Sequence, residues 1–482
     1  MKIKINGEDV EIGADSITVT ELLVDQSVKM PDMVTVEYNG DIIDRDVFET
    51  TTISEGDVIE FLYFMGGGSS KWGFETAAIH AGSSSDPVTG ATNTPIYQSA
   101  GFSHDTAQDL EDIFNGRQPG FFYSRSANPT VAALEERITH IETGLGTVCV
   151  SSGMAAITLV ILSLCRSGDN FIASKSLFGS TFYLFKGLIE NLGITVKWVP
   201  ATDLAAYQQA IDDRTQFVFI EAIGNPQLDV VDIRALSDIT NQHQIPLVVD
   251  STFTTPYLLK AKALGVSLVT HATTKYLCGG GLAVGGALVD TGVFNWKDSR
   301  SDDVQSLIPK FGRLAGLARF RKVRSNTGNC MSANNAFLTI KAIETLALRM
   351  ERHCANAQTI ATFLSSHSVV DYVNYPGLST NPTHIIARDQ FDGKFGGMLT
   401  IRLGSKARAH SFLNSITLIR NLVNLGDSKT LAVHPRHTIY RDFSDEEAHD
   451  AGVYDDLVRV SIGLEDATDL MVDFDQALGT VS

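Results

Sequence analysis

From residue 143 to residue 270 the apolar positions follow two alternating rhythms. Short unbroken apolar runs predict strands over 170–173, 194–199, 216–222, 245–250 and 266–270. Between them, spacing of three to four predicts helices over 155–165, 180–192, 204–211, 233–242 and 257–264. Strands that are apolar on both faces, alternating with helices, imply a mostly parallel, doubly covered sheet, and so an α/β fold that binds ligands at the carboxyl ends of its strands. Upstream, Asn128 and Pro129 fit the N-cap and first turn of a helix running to 142, with Ala133, Leu134, Ile138 and Ile141 on one face.

The flanks carry other patterns. Residues 1–64 alternate polar and apolar over 2–7, resume β character at 11–12 and 17–19, open a short helix at Thr20, and end in strands over 34–40 and 57–64. That ββαββ order fits a β-grasp. Residues 73–120 are rich in Thr, Ser, Gly and Pro with little periodicity, too long for a loop inside one compact domain, and an arm that finds its order on another subunit is expected. Beyond 328, long helices over 333–364 give way to mixed segments and a final helix, a smaller α+β domain. The expected division is 1–68 β-grasp, 69–128 linker and N-terminal arm, 129–327 large domain and 328–482 C-terminal domain.

Charge sharpens the first boundary. Residues 1–68 hold fifteen acids against Lys2, Lys4, Lys29 and Arg45, a net −11 out of −18 for the 482-residue chain. Such acidity argues against nucleic acid and suits either solubility or a basic protein surface, for which Arg319, Arg321, Lys322 and Arg324 offer a cluster. Apolar runs such as 155–165 fall short of the roughly 20 residues a bilayer crossing needs, and Met1-Lys-Ile-Lys leads into no signal-type segment, so a cytoplasmic protein without membrane contact is expected. The five cysteines are scattered without a CxxC pair, and neither a disulfide framework nor a metal site is expected.

Two strands end abruptly in one ionisable residue. Pro246-Leu-Val-Val-Asp250 delivers an acid, and Val266-Ser-Leu-Val-Thr-His-Ala-Thr-Thr-Lys275 an amine, to the same sheet edge. A desolvated lysine loses pKa and becomes a nucleophile, which a Schiff-base cofactor requires. Ser152-Gly153-Met154 lies where a strand enters a helix, a cradle for phosphate. Phe178 follows strand 170–173 and fits as a stacking ring. Phosphate, protonated heterocycle and aldehyde together specify pyridoxal 5′-phosphate.

Residues 72–482 resemble the cysteine and methionine metabolism family of pyridoxal phosphate enzymes, above all its O-acetylhomoserine sulfhydrylases. The matching motifs include Tyr123-Ser-Arg-Ser-Ala-Asn-Pro-Thr130, Ser151-Ser-Gly-Met-Ala-Ala156, Gly224-Asn-Pro226, Val248-Val-Asp-Ser-Thr-Phe253, Thr274-Lys-Tyr276 and Gly426-Asp-Ser-Lys-Thr-Leu431. The resemblance implies transferase fold type I, with Lys275 carrying the cofactor, Asp250 at the pyridine nitrogen, Asn225 near the ring oxygen and the substrate, and Gly153, Met154 and Thr274 on the phosphate. It also implies that Arg459 and Thr430 bind substrate, and that Tyr123 and Arg125 reach the phosphate of a neighbouring subunit, so that active sites are shared in a homo-oligomer. Tyr123, with Lys275, is then a candidate for proton transfer. Four departures stand out: Phe178 replaces a tyrosine, Ala272 a phosphate-binding serine, Gly279-Gly-Gly281 a Gly-Gly-His, and His434-Pro-Arg-His-Thr-Ile-Tyr440 the sulfhydrylase Pro-Ala-Ser-Thr-Thr-His.

The implied reaction is γ-replacement on an O-acylated homoserine, with sulfide or a carrier thiocarboxylate, to give homocysteine. Cystathionine synthesis, γ-elimination and a mere carrier or scaffold role are the competitors. Residues 1–68 resemble the ubiquitin-like sulfur carriers of thiamin and molybdopterin synthesis in Tyr38-Asn-Gly-Asp41, Glu55-Gly-Asp57 and the end Met65-Gly-Gly-Gly68. Gly67 and Gly68 would form the tail that is converted to a thiocarboxylate. Ser69 follows them, so the expected partners are a sulfur-activating adenylyltransferase and a protease that cuts after Gly67 or Gly68.

Overall fold

The two rhythms resolve, with one further strand at Gly286–Asp290, into one seven-stranded sheet in the order Thr195–Val199, Asn170–Ser174, Thr215–Glu221, Leu247–Asp250, Leu268–His271, Gly286–Asp290, Gly146–Val150. Every strand pair is parallel except those made by Gly286–Asp290, which runs against both neighbours. The computed structural model describes the whole chain except residues 29, 30, 32, 33, 44, 63–71, 84, 87 and 482.

Helices cover both sheet faces. Pro129–Ile141 is capped by Asn128, whose side chain accepts from the Thr130 and Val131 amides, and Ile233–Gln242 by Asp232. Two expected helices come out shorter. The segment over 180–192 is a turn of α-helix at Gly179–Tyr183 continued as a π-turn at Leu184–Ile189. The segment over 257–264 holds one turn, Thr255–Leu258, and a 3₁₀ turn, Lys262–Leu264. The stretch over 333–364 is two helices, Ala333–Ile343 and Leu346–Ser365. The first of them packs on Pro129–Ile141.

Met331, Ala336, Ile340 and Ile343 share a hydrophobic cluster with the large sheet, whereas the cluster special to the C-terminal unit begins at Ala357. That unit is a five-stranded sheet in the order Tyr372–Asn374, Met398–Arg402, Leu457–Ser461, Leu431–Val433, Arg420–Asn421. The arm departs from expectation in its first part. Helix Phe74–His80 packs on its own chain, with Ala77 and Ala78 in the large core and the Phe74 ring edge-on to Tyr257 at 5.2 Å. Small apolar residues at helical spacing, masked by their polar surroundings, explain why.

The N-terminal segment is a β-grasp with strand order Glu8–Glu11, Lys2–Ile5, Val58–Leu62, Thr35–Tyr38, Asp41–Ile43, the two middle strands Lys2–Ile5 and Val58–Leu62 being parallel. Asn6 and Gly7 both take positive φ (51° and 82°), as a tight hairpin turn of right-handed strands requires. Helix Val19–Asp25 starts with a reciprocal Thr18–Glu21 capping box and buries Leu22 and Leu23 on Ile3, Ile5, Val36 and Ile59. The glycine tail, Gly67 and Gly68, lies outside the described residues.

The basic cluster expected to receive this segment is not an open surface. Arg319 donates to Asp303 at 2.7 Å and to main-chain oxygens of Ser163 and Leu162, and Arg324 is buried against Glu135 at 2.7 Å. Helix Ala315–Thr327 packs on helix Gly153–Leu164, a contact that Arg319 serves, while Arg324 ties it to Glu135 and to the main-chain oxygen of Ser126. The β-grasp instead approaches the turn Gly312–Leu314 through strand Asp41–Ile43, and Glu60 feels the charge of Lys310. Among the described residues, no helix is long and apolar enough to cross a membrane, and no cluster of His, Cys, Asp and Glu could hold a metal ion.

Candidate active site

At the carboxyl edge of the large sheet, strands 215–221, 247–250 and 268–271 end side by side, with Glu221 in register with Asp250 and Asp250 with Thr270. They open into a cavity of about 250 Å³, closed from the C-terminal unit by Val423, Asn424, Leu425 and Arg459.

Asp250 is held at both oxygens, by the Thr252 amide at 2.9 Å and by Thr270 Oγ1 at 3.1 Å. Burial raises its pKa, opposed by these bonds and by His271. A buried carboxylate of this kind favours a cationic partner, such as a protonated ring nitrogen. Lys275 follows the neighbouring strand and donates to Asn424 Oδ1 at 2.6 Å. Burial, assisted by the Arg459 guanidinium, pulls its amine down to about 8. It is thus a nucleophile near neutral pH.

Helix Gly153–Leu164 points its N-terminus into the cavity, capped by Ser152, whose Oγ accepts from the Ala155 amide at 3.1 Å. A Cβ on Gly153 would meet Ala272 Cβ at 2.6 Å, so only glycine permits the helix start to lie so near the Lys275 loop. Free N–H groups, the helix dipole and Thr274 suit an anion there. Thr274 Oγ1 also braces the loop by exchanging bonds with Gly285 N and O at 3.0 and 3.2 Å. The carboxyl, amine and anion cradle therefore fit pyridoxal phosphate.

Phe178 lines the same cavity, its amide donating to Glu221 Oε1 at 2.7 Å. Burial, and then the neighbouring Asp250, push Glu221 well above the usual carboxylate range. Asn225 precedes a cis peptide to Pro226, and its Oδ1 accepts from Arg459 Nη1 at 3.1 Å. Arg459 is fully buried on the central strand Leu457–Ser461 of the C-terminal sheet and has no carboxylate partner among the described residues. A buried guanidinium without an anion is a carboxylate receptor.

Lys275, Asp250, Gly153, Met154, Thr274, Phe178, Asn225 and Arg459 thus meet in one cavity. Tyr123 and Arg125 do not join them. Tyr123 is 43% exposed, and Arg125 stacks over its ring and donates to Ser325. Thr430 does not line the cavity either: its hydroxyl donates to Glu465 Oε2 at 2.8 Å and accepts from Gly463 N at 2.9 Å, which fixes a turn behind the site. Sequence reasoning missed Thr252, Glu221 and Asn424. Glu221 had a usable signal, since it too ends a run of buried β-formers.

The match to known proteins covers both parts of the chain. The model of the Cys/Met metabolism PLP-dependent enzymes matches residues 75–479, and that of the ThiS family residues 3–68. The O-acetyl-L-homoserine sulfhydrylase of Corynebacterium glutamicum is 37% identical over 86% of this chain and 98% of its own length. The L-methionine gamma-lyase of Pseudomonas putida is also 37% identical, over 85% of this chain and 98% of its own. A crystal structure of an O-acetylhomoserine (thiol)-lyase from Campylobacter jejuni, which contains N'-pyridoxyl-lysine-5'-monophosphate, superposes with a TM-score of 0.79 at 31% identity, covering 85% of this chain and all of that one.

Proposed function

We propose, since the chain belongs to the Cys/Met metabolism PLP-dependent enzyme family, that it replaces the acyl group of an O-acylated homoserine, O-acetylhomoserine first, by sulfur to give homocysteine. The observation that carries this reading is the Lys275 amine, brought down to about 8, in one cavity with the Asp250 carboxyl and the unpaired Arg459.

Replacement at Cγ needs protons removed from Cα and Cβ while charge is held elsewhere. Pyridoxal phosphate, when bound, supplies the electron sink. Asp250 would hold its ring nitrogen, Gly153, Met154 and Thr274 its phosphate, Phe178 its face and Asn225 its ring oxygen. Lys275 binds it and, once free, moves the protons. Phe178 has no hydroxyl, so Lys275 and a partner subunit's tyrosine, through position 123, share that task. Arg459 takes the α-carboxylate in a bidentate grip. Val284, Val423 and Leu425 give that space apolar walls.

The exposed Tyr123 and Arg125 support a homo-oligomer in which each subunit completes its neighbour's phosphate site. The ThiS-family segment supports a cytoplasmic sulfur delivery in which an adenylyltransferase activates the tail after a protease has cut at Gly67–Gly68 or Gly68–Ser69. The likeness to a methionine gamma-lyase keeps γ-elimination as a second reading.

The test is direct. The PLP-saturated protein is given O-acetyl- or O-succinylhomoserine with sulfide, then with cysteine, and products are separated. Homocysteine from the acetyl ester and sulfide is expected. Cystathionine alone, or ammonia and 2-oxobutyrate regardless of thiol, would overturn this reading.

A further inference from the structure

We infer that Tyr440 is a positioning residue for the substrate's carboxylate site, acting through Asn225. The inference rests on the reading of Arg459 given above.

Tyr440 belongs to a segment, 434–453, that leaves the C-terminal sheet after Val433 and crosses onto the large domain. The segment brings its own core of Tyr440, Phe443, Ala448, Ala451 and Val453, against which Phe182, Tyr183 and Ile439 pack. Lys175 pairs with Asp450 at 2.7 Å and Lys186 with Glu447, fastening it to the large domain. An anchorage of this kind can place one hydroxyl accurately.

The Tyr440 hydroxyl, fully buried, donates to the main-chain oxygen of Asn225 at 2.8 Å, with that of Leu177 at 3.5 Å as a second acceptor. No other hydrogen bond reaches Asn225 O among the described residues. Both acceptors adjoin the site. Asn225 bonds Arg459 through its side chain, and Leu177 precedes Phe178. The contact is tight on the other side as well, for a Cβ on Gly179 would meet Ile439 O at 2.8 Å and Tyr440 Cε1 at 3.2 Å.

The order of action follows from these contacts. Tyr440 fixes the Asn225 peptide, the Asn225 amide oxygen fixes one edge of the Arg459 guanidinium, and the remaining edge is left aimed at an anion. Burial keeps the phenol protonated, so the donor is constant over the working pH range.

The experiment uses the full-length holoenzyme and Tyr440→Phe, which keeps the ring and its edge-on contact with Phe443. Binding of L-norvaline, an α-amino acid without a leaving group, is measured by calorimetry, alongside KM and kcat for the ester. We expect the norvaline Kd and the KM to rise about tenfold, the scale of one buried hydrogen bond, with kcat within about threefold. In an Asn225→Ala background Tyr440→Phe should shift the Kd by less than about twofold, because the link to Arg459 is already cut. An unchanged Kd in the single variant, an equal rise in both backgrounds, or a variant that fails to fold and is therefore merely structural overturns the inference. If the wild type itself binds no norvaline, and Arg459→Met changes nothing, the reading of Arg459 falls first and the inference with it.

Discussion

In cofactor-free protein the Lys275 amine should titrate near pH 8, against 10.5 for an ordinary lysine. The difference corresponds to about 3 kcal/mol disfavouring the charged form. At pH 7.5 it leaves about one amine in four free, against about one in a thousand without the shift. Cyanate carbamylation, read by peptide mass spectrometry, reports this fraction directly. The logarithm of the Lys275 rate should climb with unit slope to about pH 8 and then flatten. Arg459→Met removes the lesser cause, and the plateau should move to higher pH. Because the folded pKa lies below the unfolded one, the charged lysine costs stability in full below pH 8, and that cost fades as pH rises towards 10.5. Lys275→Met should therefore stabilise the apoprotein near neutrality, by an amount that shrinks above about pH 8. A rate that keeps climbing through pH 9.5 would refute the argument that burial activates this lysine.

Two further outcomes follow from packing. Gly153→Ala forces a Cβ to within 2.6 Å of Ala272 Cβ and 2.9 Å of its Cα, and such crowding costs about 1–3 kcal/mol. The dissociation constant for pyridoxal phosphate, from equilibrium dialysis, should rise at least about fivefold, and an unchanged constant would show that the helix start gives way freely. Glu135 receives Arg324 at 2.7 Å and the Cys149 amide at 2.8 Å with both side chains buried. Glu135→Ala strands a buried guanidinium and should cost about 3–5 kcal/mol in denaturant unfolding, whereas Asp442→Ala, which breaks an exposed pair with Arg441, should cost under about 1.

Asp250 is legible in the sequence because it closes a run of buried β-formers, and Lys275 because it comes soon after another, in the loop beyond the strand end at His271. Glu221 obeys the same rule, yet stands in a motif read for its Gly-Asn-Pro, and so the acid beside it passes unnoticed. Asn424 and Tyr440 leave no such trace. Asn424 meets Lys275 across 149 positions and Tyr440 meets Asn225 across 215, contacts set by how two units pack rather than by any local period. The arm shows the same limit from the other side: Ala77 and Ala78 are too small to stand out in a polar stretch, but close packing on helix 129–141 is what small residues allow.

The β-grasp shares no hydrophobic cluster with the remainder of the chain among the described residues. Across the seam its Glu60 feels the charge of Lys310, and both are groups content in water. Thermodynamically the polypeptide is two proteins on one string, and severing the string takes no interior from either. A module of this kind can be shed, exchanged or inherited separately without a compensating change in the enzyme. The same cut inside the larger body would not be silent, because arm, sheet and helix 333–343 draw on a single interior and any fragment would expose part of it.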